Sequence, residues 1–195
     1  MISFRQKNIP LIVTERLEIR LPSMTDYEAW VKVRRNSEKF LHHWEPEKAR
    51  GFYSKNSFQM RVRWARKNFK LNQVLHLFFF SKVNNDLVGG LTLDNIRYGP
   101  FDSASLGYWL GEEFANNGFM TEALKSIIHY ANKTLKITRL EAATLPTNNA
   151  SKRVLEKCDF KYEGVGQSYL QINGRWRNHV MYANVSKYRR GIVSK

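Results

Sequence analysis

The chain has one cysteine, Cys158, in 195 residues, and 17 acidic residues stand against 32 lysines and arginines. A lone thiol excludes an internal disulfide and agrees with a reducing compartment, so a cytoplasmic location is expected. No apolar run approaches the roughly 20 residues of a membrane span. The opening MISFRQKNIPLIVTERL also lacks the apolar stretch of a secretory signal. No membrane partner is expected. Metal-ligand spacing is missing as well: His42 and His43 are adjacent, so on an extended chain their side chains diverge, and no cysteine or carboxylate completes a set. No metal is expected. No G-x-S-x-G elbow surrounds a serine, which argues against a hydrolase nucleophile. Cys158, in LEKCDF without a histidine beside it, reads as a packed thiol.

What the chain has in excess is positive charge, a formal +15. Such a field draws polyanions: nucleic acid, a ribonucleoprotein or a phosphorylated cofactor. Part of the excess lies in RVRWARKNFK (61–70) and part in a basic tail, KYRRGIVSK, at about 187–195. Each alone reads most simply as a solvated face. With 43% hydrophobic residues the chain can bury one sizeable core, and no repeat or linker divides it.

LIVTERLEIRL (11–21) predicts an opening strand, and Thr25 with Glu28 predicts a capping box before the helix YEAWVKVRRN. A second helix is expected at about 57–69. VLHLFFFSK is apolar on both faces, as a central strand is, and turns through NND into LVGGLTLDNI, where Gly89-Gly90 suggests a bulge. SASLGYWL and RLEAATL predict strands on either side of a long helix. A short helix at about 150–157 precedes two final strands joined at Asn173-Gly174, a strong hairpin signal.

The long helix begins at EFANNGFMTEAL. Its apolar residues Phe119, Met120, Ala123, Leu124, Ile127, Ile128, Ala131 and Leu135 form one stripe that starts near Gly118. Asn and Gly tolerate left-handed backbone, and the first N–H groups of a helix have no partner within it, so the start can bind an anion, phosphate above all. An ordinary asparagine-rich turn would look the same.

Three segments taken together carry a resemblance. LGYWLGEEFANNGFMTEAL resembles the acyl-CoA-binding motif of the GNAT superfamily of N-acetyltransferases, and N-x-x-S-x-x-V-L-E-K-x-x-F (148–160) resembles its second motif. LIVTERLEIRL, FLHHWEP, LPTNNASKRVLEK and YLQINGRWRNHVMY resemble the ribosomal-protein-alanine N-acetyltransferase branch, across nearly the whole chain. The resemblance implies a single α/β (α+β) domain over 1–195, with a mixed, mostly antiparallel sheet and helices on both faces. It implies acetyl-CoA as co-substrate in a direct transfer without metal, the pyrophosphate being held at Asn116, Asn117, Gly118, Phe119, Met120 and Thr121. Leu110, Asn148 and Ser151 complete the implied cofactor site. Ser151 matches the serine of the related ribosomal-protein-serine branch, and Glu45 in HHWEP is the expected catalytic carboxylate; Asp94, Glu112 and Glu113 are other candidates. The implied acceptor is the N-terminal alanine of a small-subunit ribosomal protein, free or on the subunit or its precursor, where RNA contact would suit the charge. Other readings are acetylation of a small amine such as a polyamine or antibiotic, and a ribosome-assembly or RNA-binding factor with little catalysis.

The chain departs from the family at several positions. Ala115 replaces Arg or Gln, Met120 replaces Gly or Ala, and Asp159 replaces the Gly after the second motif's helix. Leu155 stands where a proton-donating tyrosine is common, and Ser168 where the serine branch has a carboxylate.

Overall fold

The computed structural model describes residues 9–189, so 190–195 of the basic tail lie outside the described residues. Its elements are β1 (Ile12–Val13), β2 (Leu17–Arg20), α1 (Tyr27–Asn36), α2 (Glu38–His42), α3 (Lys55–Lys70), β3 (Leu75–Ser81), β4 (Leu87–Arg97) and β5 (Ser103–Leu110). They continue with α4 (Phe119–Lys133), β6 (Arg139–Thr144), α5 (Asn149–Lys157), β7 (Lys161–Ile172) and β8 (Arg175–Val185). The strands form one eight-stranded sheet in the order β1-β2-β3-β4-β5-β6-β8-β7. Every pairing is antiparallel except β5 with β6.

β3 shows why helices cover both faces. All seven of its residues are buried, and successive side chains point to opposite sides. Leu75, Leu77 and Phe79 enter a core shared with Leu124 and Ile127 of α4 and Leu155 of α5. Phe78 and Phe80 enter a second core with Trp30 of α1 and Phe58 and Val62 of α3.

Several local features differ from the sequence expectation. The opening strand is two: β1 folds back on β2 with Ile12 opposite Ile19, because Thr14 makes a turn in which its hydroxyl accepts from Leu17 N–H at 3.0 Å. The capping box lies two residues early, between Ser23 and Asp26, and starts a single 3-10 turn ahead of α1. Asp26 is fixed there by buried Arg20, whose guanidinium donates to both carboxylate oxygens at 2.7 and 2.8 Å. FLHH is not extended: it ends α2, and the rings of His42 and His43 lie 5.9 Å apart instead of diverging. The bulge is present, as a register shift in which Phe79 pairs Gly89 and Phe80 pairs Leu87. A Cβ on Gly89 would meet the Trp109 carbonyl oxygen at 2.5 Å. Asn173 and Gly174 have φ of 49° and 68°, the left-handed pair of a two-residue hairpin turn.

Candidate active site

The one parallel pairing makes the site. β5 and β6 pair only from Ser103 with Arg139 to Leu106 with Ala142. β5 then continues to Leu110 alongside β4, without β6. The two strands diverge, and the backbone edge of 107–110 on that side has no strand partner. A cavity of about 1240 Å³ occupies the gap and reaches both faces of the sheet, from Gly118, Met120 and Ser151 on one side to Arg34, Arg61 and His76 on the other.

On the first side stands the N-terminus of α4. Asn116 and Gly118 both hold left-handed backbone, φ 62° and 78°, and the first intrahelical bond runs from Glu122 N–H to Gly118 C=O at 3.0 Å. The N–H groups of Phe119, Met120 and Thr121 are therefore free of helical acceptors and lie at the positive end of the helix dipole. The loop is clamped from below. Glu122 accepts from the Thr14 hydroxyl at 2.6 Å, Arg16 N–H at 2.9 Å and Arg16 Nε at 2.6 Å. Burial opposes the charge of Glu122, but these donors outweigh it and hold the carboxyl below its ordinary range. Arg16 also donates to the Asn117 carbonyl at 2.9 Å and lies over the Phe119 ring, 4.4 Å from its centre.

These contacts sort the residues expected from the sequence. Leu110, Asn116, Gly118, Met120, Thr121, Asn148, Ser151 and Glu45 all line the cavity. The side chain of Phe119 packs beside Phe114, and the Asn117 carbonyl is spent on Arg16, so both shape the loop from outside the cavity lining. Asn148 is the N-cap of α5, its side-chain oxygen accepting from Ser151 N–H at 3.0 Å.

Ser151 has a partner that the motifs did not reveal. Its Oγ lies 2.7 Å from the Tyr108 hydroxyl. Tyr108 is on β5, and burial raises its hydroxyl pKa above the usual tyrosine range, so it stays protonated near neutrality. The signal was present in the alternation of SASLGYWL, which puts Tyr108 on the face of Leu106 and Leu110.

The far side is charged and aromatic. Glu45 forms a bidentate ion pair with Arg34 at 2.7 and 2.6 Å, so both its oxygens already accept. Asp94 lines the cavity from β4, opposite Ser105, which in turn pairs with Glu141 of β6. Burial raises the pKa of Asp94, whereas Glu141 is engaged by Arg139 at 2.8 Å and Arg97 at 3.6 Å. Glu112 and Glu113 lie outside this cavity. Cys158 is buried, and burial pushes its thiol up to about 11, as a packing role requires. Among the described residues, no group of three or more His, Cys, Asp or Glu could hold a metal ion, and no helix is long and apolar enough to cross a membrane.

Comparison with known proteins agrees with this geometry. The family model described as "Acetyltransferase (GNAT) domain" matches residues 16–161. The [ribosomal protein uS5]-alanine N-acetyltransferase of Escherichia coli (strain K12) is 30% identical over 187 residues, covering 94% of this chain and 95% of its own. The crystal structure of the ribosomal-protein-S5-alanine acetyltransferase of Vibrio fischeri superposes with a TM-score of 0.84 at 26% identity, covering 90% of this chain and 96% of its own. Mycobacterium smegmatis RimJ, solved with CoA-disulfide, gives 0.83 at 26% identity, covering 88% and 82%. A family match across most of the chain, on a sheet opened between β5 and β6 beside the bare N-terminus of α4, establishes that this protein is a member of the GNAT acetyltransferase family and an acyltransferase.

Proposed function

We propose that the protein transfers acetyl from acetyl-CoA to a protein N-terminal α-amine, the acceptor being an N-terminal alanine of a small-subunit ribosomal protein. The observation that carries this reading is a single cavity joining the free N–H groups at the start of α4 to a charged wall on the opposite face of the sheet. The α4 start suits a pyrophosphate, as donors without acceptors at a positive dipole end, and acetyl-CoA supplies an activated thioester. The unpaired edge of β5 suits the amides of an extended pantetheine chain.

The chain's own residues then manage protons. Attack by the amine nitrogen on the thioester carbonyl breaks the C–S bond, and the departing thiolate needs a proton. Ser151 Oγ–H, oriented by the Tyr108 hydroxyl, passes one to it and is restored by a proton from solvent, which balances the proton that the amine gives up. The amine must arrive neutral. An N-terminal amine, with pKa about 7.7–8.0, meets that condition near pH 7, whereas lysine at about 10.4 costs roughly 3.4 kcal/mol more. A weak base is therefore sufficient, and we assign that role to Asp94, which lines the cavity on the acceptor side. Glu45 keeps a place in the site by holding Arg34.

Incubation with labelled acetyl-CoA and ribosomal subunits tests the reading. Label should appear on the N-terminal alanine of a small-subunit protein. Label confined to small amines, or salt-sensitive RNA binding without transfer, would replace it with one of the other two readings.

A further inference from the structure

Four buried side-chain nitrogen or oxygen atoms lack a hydrogen-bond partner among the described residues, and three of them are Arg34 Nε, Arg61 Nε and His76 Nε2. All three side chains line the same cavity on the α1–α3 side. Arg34 is 5% exposed and His76 8%. Burial, then the neighbouring Arg61, takes the His76 pKa down to about 4, so the ring is neutral at pH 7. Its Nδ1 lies 2.6 Å from the Thr92 hydroxyl. When that hydroxyl donates to Nδ1, the ring's one proton sits on Nε2. Arg61 stands over the rings of Trp30 and Phe52, 5.3 and 5.0 Å from their centres, and enters no ion pair among the described residues. The carboxylate beside it, Glu45, spends both oxygens on Arg34.

The wall thus presents two guanidiniums and a neutral imidazole beside one carboxylate already committed to Arg34, with Asp94 the further acid, two residues along β4 from Thr92. A desolvated, unpaired arginine is costly, and a ligand anion relieves that cost. We propose that Arg61, with Arg34 Nε and His76 Nε2, forms a carboxylate subsite that takes an aspartate or glutamate side chain from the first few residues of the acceptor peptide. The planar guanidinium fork matches a carboxylate, and the rings of Trp30 and Phe52 flank it. This assignment rests on the proposed N-terminal acetylation and makes acidity near the acceptor's amine a determinant of specificity. The overall charge of +15 favours approach by the same sequences.

The test uses alanine-starting peptides that differ only by Glu or Gln at positions two to four. Each is measured for kcat/KM and, separately, for binding by calorimetric titration, with AMP as a phosphate-bearing third ligand. The protein should prefer the Glu peptide by about tenfold or more, the scale of one charge-assisted contact. Arg61→Gln should bring the ratio to within about twofold, and Arg61→Lys should keep part of it. Equal use of both peptides by the unaltered protein, or a preference that survives Arg61→Gln, overturns the subsite while leaving the acetylation intact. If neither peptide is acetylated but the Glu peptide binds in an Arg61-dependent way, the acetylation reading fails and the subsite stands. Arg61-dependent binding of AMP without the Glu peptide overturns the carboxylate assignment.

Discussion

The Tyr108 hydroxyl and Ser151 Oγ, 2.7 Å apart, tie the unpaired end of β5 to the first turn of α5 across the cavity. A proton relay needs both groups, so their removal should not be additive. Ser151→Ala should lower kcat by on the order of a hundredfold with little change in acetyl-CoA affinity. Tyr108→Phe should cost less, and the double variant should be no slower than Ser151→Ala. Single-turnover rates with calorimetric titration would show this. A normal rate in Ser151→Ala, with chemistry limiting, would return the pair to a structural role.

Gly118 holds φ 78°, and a Cβ there would meet nothing nearer than Arg16 Nη2 at 3.5 Å. Backbone conformation, more than space, restricts the position. Gly118→Asn, which tolerates left-handed geometry, should keep acetyl-CoA binding within a few-fold. Gly118→Asp, adding negative charge beside the helix dipole, should weaken it by about ten- to a hundredfold. Titration of both folded variants separates charge from strain, and equal affinities would remove the pyrophosphate assignment.

Glu122 links stability to pH. Its folded pKa lies below the ordinary 4.5, so its contribution is complete above that pH and fades as pH falls through the folded value. Glu122→Gln should lower Tm by on the order of 2–4 °C at pH 7, and the gap to the unaltered protein should narrow as pH falls below 4.5. Thermal melts across pH check this; a gap independent of pH would mean that the Arg16–Glu122 pair carries no net charge-dependent stability.

The basic segment 61–70 divides in the structure: Arg61 faces the cavity, Arg66 donates to the Pro22 carbonyl at 3.2 Å, and Arg63, Lys67 and Lys70 are exposed. If those three hold an RNA-containing particle, changing them to glutamate should lower kcat/KM and its salt dependence on ribosomal subunits, with little effect on a short peptide. Equal effects on both substrates would assign the charge to solubility.

Elements with strong periodicity or turn chemistry were legible in the sequence: β3 through apolar residues on both faces, α4 through its stripe, and the Asn173-Gly174 turn. What was hidden depends on side-chain partners that lie outside the motif itself. Asp26, not Glu28, completes the cap because Arg20 pins its carboxylate. Glu45 was expected as the catalytic carboxylate from the resemblance, and nothing in FLHHWEP reveals its ion pair with Arg34, eleven residues earlier. The α4 start could be read because its chemistry is local backbone. The Tyr108–Ser151 and Arg61–His76 groupings could not, since each joins elements brought together only by the sheet.

The brief parallel pairing of β5 with β6 also bears on how the molecule assembles. β1–β5 pair in chain order as antiparallel neighbours, while β6, β7 and β8 form a second antiparallel group. The two groups are sewn by one four-residue rung, Ser103–Leu106 with Arg139–Ala142, across a long connection whose closure entropy must be met first. The side chains of Ala104, Leu106, Leu140 and Ala142 bury that seam in the main core, so packing as well as the rung joins the two groups. The cleft lies where the two antiparallel groups meet, and a ligand laid across it would act as a staple between them.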